Sequence, residues 1–264
     1  MASGRRSGIP RRGAARAGAA GGCLLAAACA LSGCVSTQQK NARAKLTAER
    51  ELASREPLHV GASERRVTVE RVALVRGSGE TALVVTLRNR AATPLTDLPI
   101  AIGISGAGGR RTVLNGRRGL GWFETHVPSV GAGARVEWVF SARARAVPPG
   151  RPWARVGAPT RLSSAASLPR LVATVTTGDG KGSARGGRGA VARVVVRNDS
   201  DVPQRDLQLV ALAGASGRWT AAGRARIAEL GARAQARATV PLTGRFGAGG
   251  SGAVTVQALP TIFE

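Results

Sequence analysis

The chain has 264 residues, with 39 Lys+Arg against 15 Asp+Glu, a formal charge of +24, three Cys, four Trp, four Phe and no Tyr. So few aromatic residues exclude the row of exposed rings on which single-strand nucleic-acid binders stack bases, and the length allows two domains of ordinary size or one large one. The charge draws the protein to anionic surfaces such as acidic headgroups or phosphate-bearing polymers; a G+C-rich genome, an actinobacterial one for example, writes the same arginine excess without any function.

The chain opens with Arg5, Arg6, Arg11, Arg12 and Arg16, followed by an uncharged run from Ala17 to Gly33 of mainly Ala, Gly, Leu and Cys. That order of a basic region and a short apolar region is the layout of an export signal, and the run is shorter than the roughly 18–20 residues that span a bilayer. It ends in Leu31-Ser32-Gly33-Cys34. This box resembles the lipobox of bacterial lipoproteins, which implies cleavage between Gly33 and Cys34, acylation of Cys34 and an exported chain held on the extracytoplasmic face of the membrane. An ordinary secretory signal is the alternative. Cys23 and Cys29 leave with the signal, so no disulfide is expected in the folded part. From Cys34 on, 34 basic residues face 15 acidic ones, a charge of +19. Export argues against nucleic acid as a partner.

Residues 34–57 are polar, with Ala42, Leu46, Glu49 and Leu52 at mixed three- and four-residue spacing and Pro57 as a stop, which reads as a short helical or disordered stalk. Beyond Pro57 the period changes to two. Val67-Thr68-Val69 with Val72–Val75, Thr81–Leu87, Ile100–Ile104, Thr112–Leu114, Val136–Phe140 and Trp153–Val156 read as strands separated by turns. About seven strands make up a first sandwich over residues 58–160.

The pattern then returns after a small, polar linker at 161–168. Val194–Leu209 lies over Val85–Ile100 without a gap, so that Asn89, Pro94, Asp97 and Leu98 coincide with Asn198, Pro203, Asp206 and Leu207. Val130–Arg135 is echoed by Leu230–Gln235, and Arg155–Pro159 by Val256–Pro260. Two copies of one fold are expected, the second over 169–264. The shared residues have a structural reason: Asn bonds the backbone of a turn, Pro fixes its far side, and Asp-Leu starts the next strand with Leu inward. This signature resembles the Ig-like modules of bacterial exported proteins, such as the FxLYD-type and CARDB-type domains. The resemblance implies an all-β chain of two tandem antiparallel immunoglobulin-like sandwiches, and says little of function.

Catalytic groups are scarce. His59 and His126 stand apart, the latter in an expected loop, and no Cys/His/Asp cluster has metal-ligand spacing, so neither metal nor cofactor is expected. Gly-x-Ser-x-Gly and His-Glu-x-x-His are absent. Lys181-Gly182-Ser183 sits in a Gly-rich loop between strands, not at the helix start a phosphate loop needs. Asp97 and Asp206 read as turn residues, and nothing in the sequence pairs Glu70, Glu124 or Glu137. The reading is therefore a non-enzyme: a tethered module binding an envelope protein or anionic polymer. The alternatives are an assembly accessory of an envelope or secretion complex, and an exported carbohydrate-binding protein or enzyme with a loop-built site. Trp122 and Trp219 fall at about the same place in each copy, either as core residues or as a repeated binding loop.

Overall fold

The computed structural model describes helical residues among 44–52 and residues 58–159, 167–176, 190–215, 218–245 and 254–262. Contacts divide the chain into two units, Met1–Leu46 and Thr47–Glu264. In the first, Ala44 and Lys45 are helical and exposed. Gly33 and Cys34, residue 160, the 161–166 part of the linker and the Gly-rich loop at 177–189 lie outside the described residues.

The second unit is all-β, and its antiparallel sheets form β-sandwiches. Thirteen strands are described: β1 Val67–Arg76, β2 Glu80–Asn89, β3 Leu95–Ser105, β4 Arg111–Val113, β5 His126–Val130, β6 Arg135–Arg143, β7 Arg151–Val156, β8 Leu171–Val175, β9 Ala190–Asn198, β10 Gln204–Ala215, β11 Arg218–Leu230, β12 Gln235–Gly244 and β13 Val254–Leu259. In the first half β1-β2-β6 forms one sheet; β3 pairs with β5 over Leu95–Pro99 and with β7 over Ile100–Ser105, where Gly103–Ser105 also pair with β4. The second half repeats this connectivity: β8-β9-β12 on one side and β13-β10-β11 on the other, joined where Ala221 and Ala222 pair with Gly244 and Thr243. The difference lies in one edge. A continuous β11 in the second half corresponds to β4, the helical turn Trp122–Thr125 and β5 in the first.

Side-chain alternation then fixes what each sheet touches. Trp138 donates its indole N–H to the carbonyl of His126 in β5 at 3.2 Å, so Trp138 and its partner Val85 face the first half's own interior. Val84, Thr86, Glu137 and Val139 must face the other way. There they meet the outward residues of β10, β11 and β13: Val210, Leu212, Ala222 and Leu259 belong to the same apolar core as Leu83, Val84 and Val139. Leu207, Leu209, Ala211 and Ala213, the alternate residues of β10, build the separate core of the second half. Four β layers are thus stacked, the last two belonging to one folded-over six-stranded sheet, with a buried seam between the second and third layers. β2 is buried from Thr81 to Leu87 because both its faces are covered. Close approach at the seam is also written into a glycine: Gly244 has φ +118°, and a Cβ there would lie 2.3 Å from the carbonyl of Thr220 and 2.6 Å from Val75.

The repeated motif closes the same turn twice. Asn89 is fully buried and donates Nδ2 to the carbonyls of Thr93, Val130 and Gly131, while accepting the amide of Ala91 on Oδ1. Asn198, equally buried, donates to the carbonyls of Val202 and Gly231 and accepts the amide of Ser200. Pro94 and Pro203 stand immediately before β3 and β10, and Leu98 and Leu207 are fully buried. Asp97 and Asp206 take φ of +53° and +52°, the left-handed region an aspartate tolerates better than most residues, and each leaves a gap in its ladder with the register unchanged on either side of it. The ladder also corrects one equivalence read from sequence. Arg155 opposes Ala101 as Gln257 opposes Val210, so β13 is displaced by one residue from the match of Arg155 with Val256. A one-residue slip exchanges the two faces of a strand.

Candidate functional site

The seam opens into a cleft of about 300 Å³ lined by Arg71, Thr86, Arg135 and Glu137 from the first half and by Gly214, Trp219 and Thr255 from the second. Arg71, Thr86 and Glu137 form a row across β1, β2 and β6. Glu70 is the residue skipped at the register shift of β1, and its carboxylate lies 2.6 Å from Arg135. Glu137 is held from the opposite side: its backbone N–H donates to Gln257 Oε1 at 2.9 Å, and its carboxylate accepts from Gln257 Nε2 at 2.6 Å. Burial pushes the Glu137 carboxyl above the ordinary range, against the opposing pull of the Gln257 bond and Arg135. The indole nitrogen of Trp219 is buried without a hydrogen-bond partner among the described residues. Two guanidinium groups, one of them paired with Glu70, and the Thr86 hydroxyl on one wall face the Thr255 hydroxyl and part of an indole on the other, with the Glu137 carboxylate beside them, a mixed lining that suits an anionic, hydroxyl-bearing group.

A second constellation surrounds Arg50, a helical residue of the second unit. Arg50 lies 4.4 Å from the ring centre of Trp122 and 5.9 Å from that of Phe123, donates Nη2 to the carbonyl of Thr261 at 2.8 Å and stands 3.8 Å from Asp97. Desolvation lowers its pKa, while Asp97 and Asp206 act to raise it. Asp97 in turn is raised by burial and lowered by Arg50. His126 stacks on the other side of the same cluster, 5.0 Å from Trp122 and nearly parallel to it, and burial depresses its pKa to about 4. It opens β5 rather than lying in a loop, and it is buried. The aromatic pair and the carbonyl make this a cage for a guanidinium, and the chain's own Arg50 fills it.

The two tryptophans singled out in the sequence do not come together. With Val130 set on Leu230, the position of Trp122 falls on Ala222, three residues from Trp219, because the helical turn replaces that part of β11. Trp122 is buried in the Arg50 cluster, and only Trp219 lines the seam cleft. His59 is exposed, whereas His126 is buried. Asp97 sits beside Arg50 and Asp206 beside Arg226, at 3.2 Å. Among the described residues no group of three or more His, Cys, Asp or Glu is placed to hold a metal, and no helix is long and apolar enough to cross a membrane. Arg50, Arg71 and Arg135 escaped sequence reading; the repeat gave no hint of them, since the match they serve is between faces rather than between residues.

No protein-family model matches the chain, and no curated protein does. Among solved structures, the C-terminal globular domain of an oligosaccharyltransferase from Pyrococcus abyssi is similar at 10% identity with a TM-score of 0.23, the match covering 75% of this chain. The chain spans 45% of the length of that structure.

Proposed function

We propose that the chain is exported, acylated at Cys34 and tethered to a membrane, and that its β unit is a non-catalytic module binding an anionic component of the cell envelope in the seam cleft. The observation that carries this reading is the succession in the sequence of a basic start, an apolar run and Leu31-Ser32-Gly33-Cys34 ahead of a β-rich chain. The geometry of the cleft supports the binding half of it: Arg71 and Arg135 beside Trp219 supply charge-assisted donors next to an indole. The buried titratable groups also fit binding rather than turnover. Glu137 is engaged by Gln257, Asp97 by Arg50, and His126 by the hydroxyl of Thr125 at 2.9 Å.

Intact-mass analysis of the membrane fraction tests the tether. The expected species begins at Cys34 and carries acyl mass, and Cys34→Ser abolishes it; a soluble chain that retains Met1 would overturn the reading. Titration of the purified chain with an acidic wall polymer tests the cleft. Arg71→Ala with Arg135→Ala is expected to weaken binding about tenfold or more without lowering Tm by more than a few degrees. Unchanged affinity in that folded variant would dismiss the cleft.

A further inference from the structure

The two halves carry equivalent sheet faces in different surroundings. By ladder register, Val84 opposite Val139 in β2 and β6 corresponds to Arg193 opposite Thr239 in β9 and β12, and Thr86 opposite Glu137 corresponds to Val195 opposite Arg237. The first face is covered by the second half; the second is the outermost surface of the four-layer stack, and Val191, Arg193, Arg197, Arg237 and Thr239 on it are exposed. Arg193 and Arg237 make no ion pair with a described residue. At one end, among the described residues, the acidic partners of Arg170, Arg197 and Arg233 are Asp199 and Asp201, at 4.0, 2.6 and 2.9 Å. Three arginines against two aspartates, with Arg193 and Arg237 unopposed, leave a flat β surface with an excess of positive charge.

We infer that this open face of β8, β9 and β12 docks the tethered chain on the anionic headgroups of the bilayer that holds it. The inference rests on the tether reading for its partner: a chain anchored at Cys34 meets that bilayer at a high effective concentration, so a modest charge attraction is enough. A second copy is the wrong occupant. The opposite end of the stack is a groove of Leu58, Val60, Ala101, Val113 and Trp153 edged by Arg111 and Arg155, so copies stacked head to tail would bring arginines against arginines. Docking through the outermost layer leaves the seam cleft, two layers away, open to its ligand.

The test uses the acylated chain in vesicles, with a fluorophore on Thr239→Cys and a quencher on the lipid headgroups. Acylation of Cys34 and removal of the signal leave that thiol as the single reactive one. In mixed phosphatidylglycerol and phosphatidylcholine vesicles at low salt, quenching is expected to exceed that in pure phosphatidylcholine by about threefold, and to fall to the neutral level at high salt or with Arg193→Ser and Arg237→Ser. A label on Val113→Cys, at the other end of the stack, stays unquenched. Equal quenching in both vesicles, or quenching that survives the double substitution, overturns the docking face, and a label on Thr174→Cys repeats the measurement without touching β12. A chain that fails to float with the vesicles overturns the tether and this face with it; one that floats without charge-dependent quenching overturns the face alone.

Discussion

β2 and β9 hold the same place in the two halves and have opposite fates. β2 reads Thr-Ala-Leu-Val-Val-Thr-Leu from Thr81 and is buried throughout, whereas β9 reads Ala-Val-Ala-Arg-Val-Val-Val-Arg from Ala190 and alternates between inside and outside. The strand pairings are the same, so the backbone does not decide the difference. What lies against the outward face does: an apolar sheet of the second half covers Val84, and solvent covers Arg193. A strand that is apolar on both faces is therefore a docking strand, and a strand with arginine on one face marks where docking stops.

Exchanging those residues gives the largest expected effect. Val84→Arg places an unpaired charge in the seam and should cost about 4 kcal/mol or more, measured by urea unfolding. Its mirror, Arg193→Val, should leave stability within about 0.5 kcal/mol yet promote self-association visible in sedimentation, because it removes a charge from an exposed sheet face. Equal costs for the two would break the comparison.

The same contrast appears at His126, whose counterpart in the second half is the exposed Arg226. With a folded pKa of about 4 against an ordinary 6.5, His126 must stay neutral in the fold. Its contribution is complete above pH 6.5 and is lost as pH falls toward 4, a decline of up to about 3 kcal/mol. Tm against pH should show that decline in the native chain and a flatter profile in His126→Gln. Next come the turn asparagines: Asn89→Ala leaves three carbonyls without their donor and should cost about 2–3 kcal/mol, with Asn198→Ala, serving two carbonyls, somewhat less. Gln257→Ala, which removes the link across the seam to Glu137, should cost about 1 kcal/mol by the same measurement.

The strands of the first half, the turn motif and the repetition were legible in the sequence because each rests on local residue choice: β-branched runs, and an Asn, a Pro and an Asp at fixed offsets. β5 was not, since Pro128 interrupts its run; among the described strands it pairs with β3 alone, where a missing N–H is tolerated. The slip between β7 and β13 was also hidden, because Val156-Gly157-Ala158-Pro159 and Gln257-Ala258-Leu259-Pro260 look alike whatever their register. Arg50 read as one charge in a polar stalk; its role depends on Trp122 and Thr261, distant in sequence and brought together only by the fold. The seam had a trace in the sequence, the contrast of Val84 with Arg193, which becomes informative once β2 and β9 are known to be equivalent.

The cleft exists only if the two halves fold as one body. Urea unfolding followed separately through Trp138, inside the first half, and Trp219, at the seam in the second, decides this most directly. A shared core predicts one transition with coincident midpoints for the two probes. Two transitions with separate midpoints would mean independent sandwiches on a linker, and the cleft between them would lose its walls.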